Sequence, residues 1–156
     1  MLATYLNDHL AGATAGRELA RRAAASNQGS LLGDFLEGLA VEIDEDRDAL
    51  LALMAALDVG VDRFKVLGGW TVEKLGRLKL NGRLFGYSPL SRLLELEALA
   101  LGVAGKLGLW QALEELALPE RAIAGVDLPD LQERAERQLE QLERNRLDAA
   151  PEALGA

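Results

Sequence analysis

Apolar residues recur at three- and four-residue steps through most of the chain, the spacing of amphipathic helices. Leu6, Leu10, Ala13, Ala20 and Ala24 predict a first helix over about 4–27, stopped by Gly29. Ser30 then offers an N-cap, and Leu32, Leu36, Leu39, Ile43, Leu50, Leu53 and Leu57 trace one stripe along a second helix over about 30–58, ended by Gly60. Such a helix is roughly 42 Å long, and its two- to three-residue link to helix 1 forces an antiparallel hairpin. The stripe has one gap, at Asp46 within the acidic run EIDEDRD.

Over 62–81 the pattern weakens. Phe64, Leu67, Thr71, Leu75 and Leu78 share a face but Gly68, Gly69 and Gly76 interrupt it, so this segment reads as a partly helical crossover. Ser88–Pro89 supplies a cap followed by proline at the first helical position. The helix it starts, about 89–117, is apolar on two sides and therefore central. The last helix, about 128–149, opens near Asp127 and is expected to stop before Pro151. Its apolar stripe is narrow, which places it on the outside, and Glu133–Arg137 and Glu140–Arg144 are supporting i,i+4 pairs. Sustained period-two alternation is missing. The reading is therefore all-α: one domain over 1–156, a four-helix bundle with a long crossover between helices 2 and 3, as in ferritin-like folds. Gly12 and Gly16 on helix 1, and Gly102, Gly105 and Gly108 on helix 3, predict faces where a neighbouring helix approaches closely.

Composition narrows the chemistry. The chain has no Cys and a single His, so disulfides, thiolate nucleophiles, Cys-based metal sites and two-His metal motifs are excluded. With 25 acidic and 17 basic residues the net charge is −8, which disfavours nucleic acid and anionic membranes as partners. The chain opens without a basic stretch and has no apolar run long enough to span a bilayer, so the expected location is cytoplasmic.

Three ionisable residues interrupt apolar stripes, where a charge is costly: His9, Asp46 and Glu97. In the helix 1/helix 2 hairpin His9 is expected within a turn of Asp46, predicting a buried pair, whereas Glu97 falls roughly 12 Å away along the bundle. With Glu42 these carboxylates are also the raw material of a metal site, although a polar pair inside the bundle is the simpler reading. A second feature is charge segregation. Residues 62–92 hold seven basic residues against Asp62 and Glu73, so the crossover is expected to dock on the acidic second helix. The third is the helix start after Ser88, near Arg83 and Arg92, which reads as an ordinary cap and not as a phosphate site.

The segments YLNDHLAG at 5–12 and GRLKLNGRLFGYSPLSRLLELEAL at 76–99 resemble those of a family of small bacterial all-helical proteins. The resemblance implies a soluble helical protein and carries no catalytic, metal or cofactor residues with it. The ExxH motifs of metal-binding ferritin-like bundles do not occur in the sequence. The functional expectation is a non-enzymatic interaction or assembly protein without a cofactor, with a symmetric homodimer as the candidate assembly. The alternative is a carboxylate-rich metal-binding or metal-dependent oxidase bundle.

Overall fold

The computed structural model of the chain describes residues 1–62, 87–116, 118–123 and 125–155. Four long helices carry the fold: α1 (Leu2–Ser26), α2 (Leu31–Ala56), α3 (Pro89–Glu114) and α5 (Leu128–Leu154), with a single turn, α4 (Glu120–Ile123), before the last. No strand occurs among the described residues. The crossover helix expected at 62–81, and with it the docking of the basic segment on α2, falls outside the described residues apart from Asp62 and the end of the segment.

The caps expected at Ser30 and Ser88 form, and Asp127, where the last helix was expected to open, caps it as well. Ser30 Oγ accepts from Gly33 N at 3.1 Å, Ser88 Oγ from Ser91 N at 3.1 Å, and Asp127 Oδ1 from Asp130 N at 3.1 Å. The last helix does not stop at Pro151. The proline lies in its final turn, where it forfeits only one backbone bond, and the helix ends at left-handed Gly155 (φ 75°), whose N–H bonds Pro151 O.

Two apolar clusters make the core. At one end Leu19, Ala23, Leu36, Leu39, Leu96, Leu99 and Leu142 meet; at the other Leu6, Leu10, Leu50, Leu53, Leu109, Trp110, Leu113 and Leu131. Membership fixes direction. Early α1, late α2, late α3 and early α5 share one end, so α1 and α5 run one way and α2 and α3 the other. The α1/α2 and α3/α5 hairpins are the closely packed pairs, α1 touches α3 less, and α2 and α5 touch little. The narrow stripe of α5 is thus enough to pack it along all of α3, not merely outside it.

A buried asparagine at each end of α1 ties down the chain that leaves α2 and the chain that enters α3. Asn7 Nδ2 donates to Gly60 O at 3.0 Å and its Oδ1 accepts from Asp62 N at 2.7 Å. Asn27 Nδ2 donates to Tyr87 Oη at 2.7 Å, and its Oδ1 accepts from Arg92 Nε at 3.0 Å.

The α1/α2 turn depends on a close approach. A Cβ on Gly33 would stand 2.4 Å from the Asn27 carbonyl oxygen, whereas one on Gly38, a turn further along α2, would meet nothing within 4 Å. Gly→Ala in a helix interior ordinarily stabilises by about 1 kcal/mol. Gly38→Ala should follow that rule, and Gly33→Ala should instead destabilise by about 2 kcal/mol because backbone must move. Urea denaturation of the two variants checks the opposite signs.

Candidate functional site

Between the two apolar clusters the core is polar. Asp46 on α2 is 1% exposed, and Lys106 on α3 and Gln138 on α5 meet it there. The Lys106 ammonium donates to Asp46 Oδ2 and, at 2.5 Å, to Gln138 Oε1, and Gln138 Nε2 donates to Glu42 Oε2 at 2.6 Å. The Arg134 guanidinium lies 3.2 Å from Asp46 Oδ1 and 2.7 Å from Glu45. Three helices are therefore joined through one carboxylate, and α2 and α5, which touch little, are bridged by these charges. Burial pushes the Asp46 carboxyl above its ordinary range, against the pull of Lys106 and Arg134. Burial likewise pushes Lys106 below its ordinary range, against Asp46.

The acidic run of α2 also has partners on α1. Arg17 bonds Asp44 at 2.7 Å, Arg21 lies 3.6 Å from it, and Arg47 Nε donates to Thr14 Oγ1 at 3.4 Å. Arg17 and Arg21 of α1 and Arg134 of α5 thus engage acids of the run on α2 where the basic crossover is expected to dock.

The predicted His9–Asp46 pair does not form. Thr14 is level with Arg47 and Arg17 with Asp44. His9, five residues before Thr14, is therefore level with position 52, about 9 Å from Asp46 along the helix. Its ring packs edge-on against Tyr5, with centroids 4.6 Å apart, and burial lowers its pKa despite Asp8. Glu97 is brought to neither residue. Its side chain is 42% exposed and lies 3.6 Å from Arg146. The helix start after Ser88 behaves as the cap expected, with Arg92 held by Asn27 and by Glu152 at 3.0 Å; Arg83 lies outside the described residues. Lys106, Gln138 and Arg134 went unnoticed in the sequence. Lys106 carried a signal, being the one charge between Glu97 and Glu114.

The polar layer forms part of the floor of a cavity of about 710 Å³ between α1 and α3. Its walls are made by the small residues expected to bring helices together, among them Gly12, Gly16, Gly102 and Gly105. That expectation is overturned, since a Cβ at any of the four would meet nothing within 4 Å. The missing side chains leave space. Leu101, 77% exposed, and Tyr5 stand on the rim, and at the end near Lys106 the wall includes Trp110, which is 1% exposed and whose indole N–H has no hydrogen-bond partner.

The chain matches no protein-family model, no curated protein and no solved structure.

Two outcomes follow from the buried pair. Lys106→Met strands Asp46 with only Arg134 and should cost about 3 kcal/mol, while Asp46→Leu combined with Lys106→Met should recover part of that loss. Equilibrium unfolding of the single and double variants gives the coupling, and strict additivity would dismiss it. The second concerns pH. The folded chain holds the Asp46 proton more tightly than the unfolded chain, so the associated stability is complete below the unfolded value of 3.8 and is lost as pH rises through the raised one. Relative to non-titrating Asp46→Asn, the wild-type chain should gain stability as pH falls from neutral towards 3.8, read by paired urea titrations.

Proposed function

We propose that this protein is a non-enzymatic interaction or assembly protein, built on a ferritin-like bundle, that works through the face between α1 and α3. The cavity on that face carries the reading. It is of the size that folded proteins use to bind other molecules, its walls are largely apolar, and it opens beside exposed Leu101 and Tyr5. The titratable groups nearby do not form a catalytic set. Asp46 and Lys106 are engaged with each other, and His9 stacks on Tyr5. The ferritin-like assignment is supported by helix directions, with α1 and α5 opposed to α2 and α3, and by the long chain between α2 and α3.

The alternative, a carboxylate-rich metal-binding or metal-dependent oxidase bundle, is disfavoured by a specific arrangement. The ammonium of Lys106 and the guanidinium of Arg134 already bring positive charge to Asp46, where a cation would have to compete with them. Among the described residues, no three His, Asp or Glu side chains gather as a metal would need. No described helix is long and apolar enough to cross a membrane. With the net charge of −8, this favours a cytoplasmic protein that binds neither nucleic acid nor anionic membrane, and a second copy of the chain is the candidate protein partner. The likeness of 5–12 and 76–99 to small bacterial helical proteins accords with this reading and adds no activity.

Protein purified without chelator should contain iron, manganese and zinc at well below one ion per chain in elemental analysis. One or more tightly held ions per chain would replace this reading with the metal-binding one.

A further inference from the structure

Lys106 differs from the other buried polar groups in that a nucleophile stands beside a proton acceptor at the edge of an apolar space. A helical side chain leans back over the turn before its own, so the stem of Lys106 runs past Gly102, which has no side chain to cover it. Both members of the Lys106–Asp46 pair line the α1–α3 cavity, but the Lys106 side chain keeps 12% of its surface where that of Asp46 keeps 2%. A molecule in the cavity therefore meets the lysine before the carboxylate. The ammonium spends two of its three protons, on Asp46 and Gln138.

A lysine becomes a nucleophile only by losing a proton, and a desolvated site next to a carboxylate supplies both the drive and the acceptor. Burial pushes Lys106 below its ordinary range and Asp46 above its own, so transfer of one proton from ammonium to carboxylate is eased from both sides. Around the pair the cavity walls include Gly12, Ala13, Gly16 and Ala98, which can hold an apolar body next to the amine and keep bulk water from it.

We infer that Lys106 is a capture site for apolar aldehydes, joined to them as a Schiff base in the α1–α3 cavity with Asp46 as its counter-ion. Asp46 takes one proton from the ammonium, and the amine lone pair attacks the carbonyl carbon while the π pair moves to oxygen. A second proton passes from nitrogen to that oxygen, giving a neutral carbinolamine. Asp46 then returns its proton to the hydroxyl, water leaves, and the nitrogen lone pair closes the C=N bond. The products are one water and an iminium that keeps the last N–H and the positive charge. Asp46 thus retains a cation, and the tie between α2 and α3 persists. The condensation is capture without turnover. It rests on the reading of the α1–α3 face as the working surface and adds to it a ligand class and a point of attachment.

Reductive labelling of the folded full chain tests it. 2-Naphthaldehyde is the probe, sodium cyanoborohydride reduces the iminium to a stable secondary amine, and peptide mass mapping locates the adduct. The competing amines are the N-terminus, Lys65, Lys74 and Lys79. Lys106 should react about tenfold faster than any of them, because the aldehyde is held beside it. That preference should vanish in urea, and glyoxylate, whose carboxylate does not suit apolar walls, should not show it. Lys106→Arg keeps a cation for Asp46 and should lose the fast adduct. Gly12→Leu combined with Gly102→Leu, at positions where an added Cβ meets nothing among the described residues, should erase the Lys106 preference while circular dichroism stays as in the wild type. The wild-type comparison decides the matter even if Lys106→Arg fails to fold. Lys106 labelled no faster than the other amines, a preference that survives urea or is shared by glyoxylate, a fast adduct that survives Lys106→Arg, or labelling indifferent to the two leucines would each overturn the proposal. Sedimentation of the same samples separates it from the reading beneath it. If Lys106 is not labelled but the leucines convert a wild-type dimer to monomer, the face takes a second copy and the aldehyde proposal alone falls. If they change neither labelling nor association, both fall.

Discussion

The pair between Lys106 and Asp46 is the constraint on which the arrangement of the bundle turns. A lysine and an aspartate cannot be taken out of water singly; each is tolerable in the core only while the other stands within hydrogen-bond reach. That requirement sets α3 against α2 at one height, because a slip of one turn in either helix would strand two charges in apolar surroundings. Gln138 extends the constraint to α5 by accepting from Lys106 and donating to Glu42, and Arg134 adds a second tie from the same helix. The leucine-rich clusters above and below are non-directional and would pack in several registers. The polar layer between them permits one.

The same layer explains why the α1/α2 pair and the α3/α5 pair associate without merging evenly. Each hairpin is closely packed within itself, and between hairpins the apolar clusters hold the two ends. In the middle, on the α2/α5 side, ion pairs bridge the gap; on the α1/α3 side, glycines and alanines leave the gap as a cavity. Small residues on facing helices are compatible with either close approach or empty space, and what decides is whether the helices are free to move together. Here the end clusters and the Asn7 and Asn27 clamps hold α1 at a distance set by larger side chains, so the glycines cannot draw α3 inward.

Much of this was legible in the residues. The caps at Ser30 and Ser88, the helix start near Asp127 and the stripe of Leu36, Leu39, Ile43 and Leu50 are local signals, and the structure has helices where they point. Asp46 was rightly singled out as an intruder in an apolar stripe. Its partner was misread because hairpin height was judged from turn length alone, and an error of a few residues in register exchanges one neighbour for another. Lys106 was conspicuous as the one charge in its stretch of α3 but hidden among glycines, which drew attention to packing instead of polarity. Gln138 and Arg134 were beyond reach, because on a helix as polar as α5 nothing local distinguishes the side chain that turns inward from its solvated neighbours. The cavity was illegible for a different reason: free space is a property of several helices at once, and the glycine pattern is the same whether it is filled or empty.

The character of the cavity also depends on charge. An apolar groove in an acidic bundle could have been floored by uncompensated carboxylates, and then a cation would be its natural occupant. Among the described residues of the lining Arg47 and Lys106 balance Asp8 and Asp46, and Arg134 adds a second cation at Asp46. With these charges paired, what the cavity offers an occupant is shape and apolar area. Trp110 closes one end of the cavity, packed in the core with Leu109 and Leu113, while the neighbouring Lys106 is held by Asp46 and Gln138. The pair that fixes the helix register is thus also what neutralises the described floor of the cavity.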